Sequence, residues 1–136
     1  MEINTNIENN YEFQDIIKLF IPQGFEEYDI VVNHKEEEKD GKIFNHYEIL
    51  NKGEEFVFDK ENEISPFISA KSFAKIGLYE CLSKIFKKDL PYGALTGIRP
   101  VKFCYDLFKK GLPKTSIKNF LMKSYHVSEE KVDLII

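Results

Sequence analysis

Phe13, Ile16, Ile17 and Phe20 recur three and four residues apart between Tyr11 and Phe20, which puts them on one face of a helix. Pro22 and Gly24 follow as stop signals. Ahead of this helix, Glu2–Ile7 reads as an opening strand. Behind it, Tyr28–Asn33 is a short apolar strand, and the polar run His34–Lys42 reads as a solvated connection ending in the turn signal Asp40-Gly41. Ile43–Leu50 alternates in period two, Ile43, Asn45, Tyr47 and Ile49 against Phe44, His46, Glu48 and Leu50. Asn51-Lys52-Gly53 supplies the next turn, and Glu55–Phe58 returns as a strand. The last three strands predict an antiparallel meander.

After Ser65 the period changes. Phe67, Ala70, Ala74, Leu78, Cys81, Leu82 and Ile85 form one apolar stripe at helical spacing, so a long helix is expected over residues 66–87, with Ser65 as its N-cap and Pro66 in the first helical position. The small residues Ala70, Ala74 and Gly77 allow a sheet to approach closely. Lys71 and Lys75 fall at the edge of the stripe, where lysines pack their stems and keep their heads wet. Three short helices follow over residues 100–136: one starting at Pro100 and running to Gly111, one started by Pro113, and one capped by Ser128 with Glu129 and Glu130 complementing its dipole. The expected class is α+β. A small antiparallel sheet over residues 1–60 packs on the long helix, and three short helices follow. The 136 residues fit one domain, its sheet-containing portion spanning residues 1–88 and its helical tail residues 89–136. The final helix runs into Val132-Asp133-Leu134-Ile135-Ile136 without a stop signal, so the chain reads as the front portion, an N-terminal accessory domain, of a longer protein.

Composition narrows the class. Charged residues make up 31% of the chain and no uncharged apolar run reaches the ~18 residues of a membrane span. The start, Met-Glu-Ile-Asn-Thr-Asn, has neither the basic nor the apolar stretch of a signal peptide, so a cytoplasmic location is expected. The net charge of −4 conceals a segregation: residues 1–64 carry −11, residues 65–126 carry +9 and residues 127–136 carry −2. Such a division gives an acidic and a basic face, which can attract each other or an outside partner.

Catalytic motifs are missing. The chain has no G-x-S-x-G, H-E-x-x-H, P-loop or G-x-G-x-x-G pattern. Cys81 and Cys104 are too far apart for a C-x-x-C pair, and each sits on the apolar side of an expected helix, where a cysteine behaves as a small hydrophobe. His34, His46 and His126 are scattered, and no metal site is expected. The acid pairs and runs, such as Glu36-Glu37-Glu38, read as solvated loops. One group is cationic and specific. Arg99 is the single arginine beside eighteen lysines, and it sits in Leu90-Pro91-Tyr92-Gly93-Ala94-Leu95-Thr96-Gly97-Ile98-Arg99-Pro100. A guanidinium offers a planar five-donor fork that lysine lacks. Arg99, Lys75, Lys102 and Lys71, with Gly93, Thr96 and Gly97 shaping the loop, are therefore candidates for anion binding or domain docking at a helix N-terminus. A structural connector whose arginine holds backbone carbonyls is the competing role.

The same stretch carries a resemblance. Lys75-Ile76-Gly77-Leu78-Tyr79, then Leu90–Pro100 as written above, then Tyr125-His126-Val127-Ser128-Glu129-Glu130-Lys131 follow in an order and spacing similar to the N-terminal region of the HemZ-type branch of oxygen-independent coproporphyrinogen III oxidases, which are radical S-adenosylmethionine proteins. Leu95-Thr96-Gly97-Ile98-Arg99-Pro100 is the specific stretch. Tyr92 stands where that family would carry tryptophan, and residues 1–60 have no matching signature. The resemblance implies a parent enzyme that oxidatively decarboxylates two propionates of coproporphyrinogen III in anaerobic haem biosynthesis, using a [4Fe–4S] cluster and S-adenosylmethionine. The cluster-binding C-x-x-x-C-x-x-C motif of that family is not present in these residues, so no ligand is carried over. The implied role is a non-catalytic domain with no cofactor of its own. Its partners would be the C-terminal catalytic module of the parent and the porphyrinogen substrate, which it would serve by docking on the module or shaping its cleft.

Two other readings stay open. The basic half, residues 65–126, could serve nucleic acid, with Thr115–Ile136 as a helix-turn-helix. The acids Glu129, Glu130 and Asp133 on the second helix make that a poor phosphate face. The acidic N-terminal face could instead bind a protein partner.

Overall fold

The computed structural model describes the chain except residues 8–10, 22, 25–26, 92, 95–99 and 136. The order of elements is β1 (Glu2–Thr5), α1 (Tyr11–Phe20), β2 (Ile30–Lys39), β3 (Lys42–Asn51), β4 (Glu54–Glu63), α2 (Ala70–Phe86), α3 (Pro100–Lys109), α4 (Lys114–Lys123) and α5 (Glu129–Ile135). The class is α+β. The chain divides into two compact units, Met1–Lys88 and Asp89–Ile136.

The first unit is a four-stranded sheet, in the order β1-β2-β3-β4, with α1 and α2. β2, β3 and β4 form the antiparallel meander. β1 differs from the expected antiparallel sheet, because it pairs with β2 in parallel, from Glu2 opposite Val31 to Thr5 opposite His34. The helix between them is the reason: a strand, a crossover helix and a neighbouring strand return in the same direction. Both hairpins close through two residues of positive φ, Asp40 and Gly41 in one, Lys52 and Gly53 in the other. Such loops match the right-handed twist of the strands and hold pairing up to the turn itself. That corrects the expectation for residues 34–42. His34–Lys39 is strand, its alternate side chains facing water, and β4 likewise runs on to Glu63 because it pairs with β3 as far as Lys42.

Ile30, Val32, Ile43, Tyr47 and Ile49 fill one sheet face and are buried together with Phe13, Ile16, Ile17 and Phe20 of α1 and Ala74, Leu78, Cys81 and Leu82 of α2. The helix α2 starts four residues later than its sequence suggests. Ser69 is the N-cap, its hydroxyl accepting from the Ser72 N–H at 3.1 Å, whereas Ser65 closes a small turn by accepting from Phe67 N–H. At the other end Lys87 adopts φ 53°, and the N–H groups of Lys87 and Lys88 both return to the Ser83 carbonyl.

The second unit is helical. Cys104, Leu107, Ile117, Leu121, Tyr125, Val127 and Val132 make its core. Phe103, Phe120 and Tyr125 pack as an aromatic group, Phe103 edge-on to Tyr125 at 5.3 Å between centroids and Phe120 at 5.6 Å from it. Pro113 precedes α4, and the Ser128 hydroxyl accepts from Lys131 N–H at the start of α5.

Candidate functional site

The sequence candidates divide between the two units. Lys71 and Lys75 lie on α2 in the first. Gly93 and Lys102 lie in the second, Lys102 within α3. Thr96, Gly97 and Arg99 lie outside the described residues, and with them the expectation that Arg99 holds carbonyls of its loop.

Lys75 departs from its expected place. It is 1% exposed, so its head is not wet, and desolvation pushes its pKa below the usual lysine range while the carboxylates of Glu12 and Asp15 on α1 oppose that shift. Lys71 keeps a half-exposed side chain with its ammonium 4.0 Å from Glu12 Oε1. The pair therefore faces acids of the neighbouring helix, which is how a buried cation is held between two helices.

Gly93 is explained by its surroundings. Its φ is +55°, and a Cβ added there would overlap the Tyr125 carbonyl and the backbone of His126. The next residue completes the contact: Ala94 N–H donates to the Tyr125 carbonyl at 2.7 Å, and Ser128 N–H donates to the Pro91 carbonyl at 2.8 Å. His126 turns the chain at this point with φ 60°. The result is a backbone clasp of Pro91, Gly93 and Ala94 against Tyr125, His126 and Ser128. A glycine is the residue that permits both the left-handed φ and the close approach.

A second polar group joins residues whose pattern reads as a loop and as an ordinary strand. His34 is buried, with Nδ1 2.7 Å from Thr5 Oγ1 and Nε2 2.7 Å from Asn45 Oδ1, so one chain of hydrogen bonds crosses β1, β2 and β3. The Asn45 carbonyl oxygen can only accept, so Nε2 carries a proton and Nδ1 accepts from the Thr5 hydroxyl. The ring stands edge-on to Phe13 at 5.1 Å and lies 4.9 Å from the Tyr47 ring. Burial pushes its pKa below the usual histidine value, against the hydrogen bond to Asn45 that raises it. Asn45 Nδ2 is buried without a partner. Asn6 secures the same edge by donating to the Glu36 carbonyl and accepting from Glu36 N–H, both at 2.8 Å. This group fastens the short strand β1 to the sheet.

On the opposite, open sheet face His46 lies 2.6 Å from Asp59 Oδ1 and 3.1 Å from Glu48 Oε1 through its two ring nitrogens. Both carboxylates accept, which favours the imidazolium and raises its pKa, Asp59 contributing most. The face around it mixes charges of both signs with Phe44, Leu50 and Val57.

Cys81 is buried in the first unit and Cys104 in the second. Burial pushes the Cys81 thiol up to about 12 and raises that of Cys104, which disfavours the thiolate a cluster requires. Among the described residues, no group of three or more His, Cys, Asp or Glu is placed to hold a metal ion, and no helix is long and apolar enough to cross a membrane. The ammonium of Lys118 on α4 is 3.1 Å from Asp133 and 3.4 Å from Glu129 of α5, so it is engaged by carboxylates instead of being offered to phosphate.

Comparison with known proteins finds no matching family model, no matching curated protein and no matching solved structure.

Proposed function

We propose that this chain is a non-catalytic accessory domain serving a radical S-adenosylmethionine enzyme similar to oxygen-independent coproporphyrinogen III oxidase. It acts by docking on the catalytic module or by shaping the cleft that takes the porphyrinogen. The observation that carries the reading is the stretch Leu95-Thr96-Gly97-Ile98-Arg99-Pro100 with its two flanking stretches. Two features of the packing support it. The Tyr125–Lys131 stretch and the Leu90–Pro100 stretch meet in the clasp at Gly93, and Gly77 of the first stretch lies against Tyr47. The residues of the resemblance thus specify a scaffold, and Arg99 follows shortly after that clasp in the chain.

The test is turnover. The radical S-adenosylmethionine module encoded with this chain is reconstituted anaerobically and given coproporphyrinogen III with and without the chain. The reading expects the chain to raise the rate or tighten the substrate KM. A module indifferent to the chain, or a sequence following Ile136 in the parent protein without C-x-x-x-C-x-x-C, contradicts it.

A further inference from the structure

His34 is 6% exposed and both of its ring nitrogens are engaged, Nδ1 by the Thr5 hydroxyl on β1 and Nε2 by the Asn45 carbonyl oxygen on β3, each at 2.7 Å. A neutral imidazole has one donor and one acceptor, so this arrangement is complete as it stands. A second proton would go to Nδ1. The Thr5 hydroxyl then loses its acceptor and has to receive from Nδ1, although it already accepts from Ile7 N–H at 3.3 Å. Asn45 cannot help, because the atom it has to spare is the buried donor Nδ2, which repels a cation. Aromatic rings enclose the site, Phe13 of α1 at 5.1 Å and Tyr47 of β3 at 4.9 Å. Among the described residues countercharge is wanting as well. His46 acts on the ring across the sheet with a charge of the same sign. Glu36, two residues along β2, is held above the usual carboxylate range by burial and by Glu38, so it gives up its charge early as the pH falls. Glu12 and Asp15 of α1 act on Lys75 of α2, and Glu80 of α2 is paired with Lys60 of β4.

We propose that His34 is an acid-operated latch: on taking up a second proton it releases β1 from the edge of β2, while the meander β2-β3-β4 stays paired. β1 is the element that yields. It is held over four register pairs, Glu2–Thr5 against Val31–His34, whereas β2 pairs with β3 over ten and β3 with β4 over ten. Its remaining side-chain ties, Asn4 with Asn33 and Asn6 with the backbone of Glu36, carry no group that titrates near a histidine. Burial disfavours the imidazolium and lowers the pKa, so the closed form holds at neutral pH and opening belongs to acid. Release turns the covered margin of β2, Val31–His34, into a free strand edge. The latch lies within the first unit and is independent of the accessory-domain reading.

The test is amide hydrogen exchange on the full chain between about pH 7.5 and about pH 4.5, either side of the ordinary histidine value. Rates are corrected for their intrinsic pH dependence and set beside the ring-proton titration of His34. The β1 amides are expected to lose at least about tenfold in protection with the midpoint of the His34 ring, while the β3 and β4 amides keep theirs. His34→Gln can donate to Asn45 and accept from Thr5 but takes up no proton, so its β1 protection should not change with pH. Asn45→Asp sets a carboxylate against Nε2, which should keep β1 closed through the His34 titration. Loss of protection in β1, β3 and β4 together would mean that acid unfolds the whole sheet, and would overturn the latch. So would a β1 that stays protected after the wild-type ring has titrated, or one that opens with the same midpoint in His34→Gln. Should His34→Gln fail to fold, Asn45→Asp decides, and a β1 that opens there with the wild-type midpoint overturns the proposal.

Discussion

The phenol ring of Tyr47 occupies the space that a side chain at Gly77 would need. An ideal Cβ at Gly77 would stand 2.9 Å from Tyr47 Cζ, and the hydroxyl beyond it donates to the Ala74 carbonyl at 2.6 Å. Sheet and helix meet here at one aromatic side chain, Tyr47 being fully buried. Gly77→Ala is expected to destabilise the fold by about 1–3 kcal/mol, because the ring must move within a packed core. Tyr47→Phe removes only the hydroxyl and is expected to cost about 1 kcal/mol. Urea unfolding of both variants measures this. Equal stabilities for Gly77→Ala and wild type would mean that the close approach does not exist.

The clasp at Gly93 gives a sharper expectation. A side chain there meets both an unfavourable positive φ and the Tyr125–His126 backbone. Gly93→Ala is expected to cost about 2–5 kcal/mol, from the left-handed strain and the overlap together. Hydrogen exchange should report the loss at Ala94 and Ser128, whose N–H groups close the clasp. Unchanged protection at both would contradict it.

The two sheet histidines should titrate on opposite sides of the unperturbed value of 6.5. His34, depressed by burial, contributes stability that is present above 6.5 and is lost as the pH falls through its folded pKa. His46, raised by Asp59 and Glu48, contributes stability that is present below 6.5 and is lost as the pH rises through its folded pKa. Ring-proton chemical shifts followed from pH 4 to 9 (roughly the span either side of the histidine value) separate them. Asp59→Asn should bring the His46 midpoint down, because Asp59 is the largest cause of its raised value. A His34 midpoint above that of His46 would refute the assignment.

Much of this fold can be read directly from the chain, and the misses have physical causes. The stripe Phe13–Ile16–Ile17–Phe20 is α1, and the alternation around Tyr47 is β3. His34–Lys39 reads as a loop because its residues are polar, yet strand pairing needs only backbone, and the turn at Asp40-Gly41 extends the ladder to Lys39. The parallel direction of β1 is set by a crossover that no local pattern encodes. Ser65-Pro66 is a sound helix start by local rules, but Ser69 captures the cap, and Ile68 is buried just before it. Among the candidate site residues, the need for Gly93 is visible as a glycine in a tight segment. Its reason is not, because the partner backbone lies more than thirty residues further on. Lys75 looks like any lysine at the edge of a stripe, since the acids that face it sit on another helix.

That difference between the two lysines can be measured. Lys75→Ala is expected to cost about 2–4 kcal/mol, because it empties a buried position and removes the charge on which Glu12 and Asp15 act. Lys71→Ala is expected to cost less than about 1 kcal/mol, as suits a half-exposed pair. Denaturant midpoints of the two variants, measured side by side, decide it. Equal losses would show that Lys75 is not buried as described.

The proposal that the chain serves a radical enzyme without holding its cluster can be tested on the chain alone. The direct measurement is anaerobic reconstitution of the chain alone with iron, sulfide and S-adenosylmethionine, followed by iron analysis, visible absorption and equilibrium dialysis. The account predicts no stoichiometric iron, no cluster absorption and no retained S-adenosylmethionine, because Cys81 and Cys104 are buried in separate units with their thiols pushed up. Stoichiometric iron that is lost in Cys81→Ser or Cys104→Ser would contradict it.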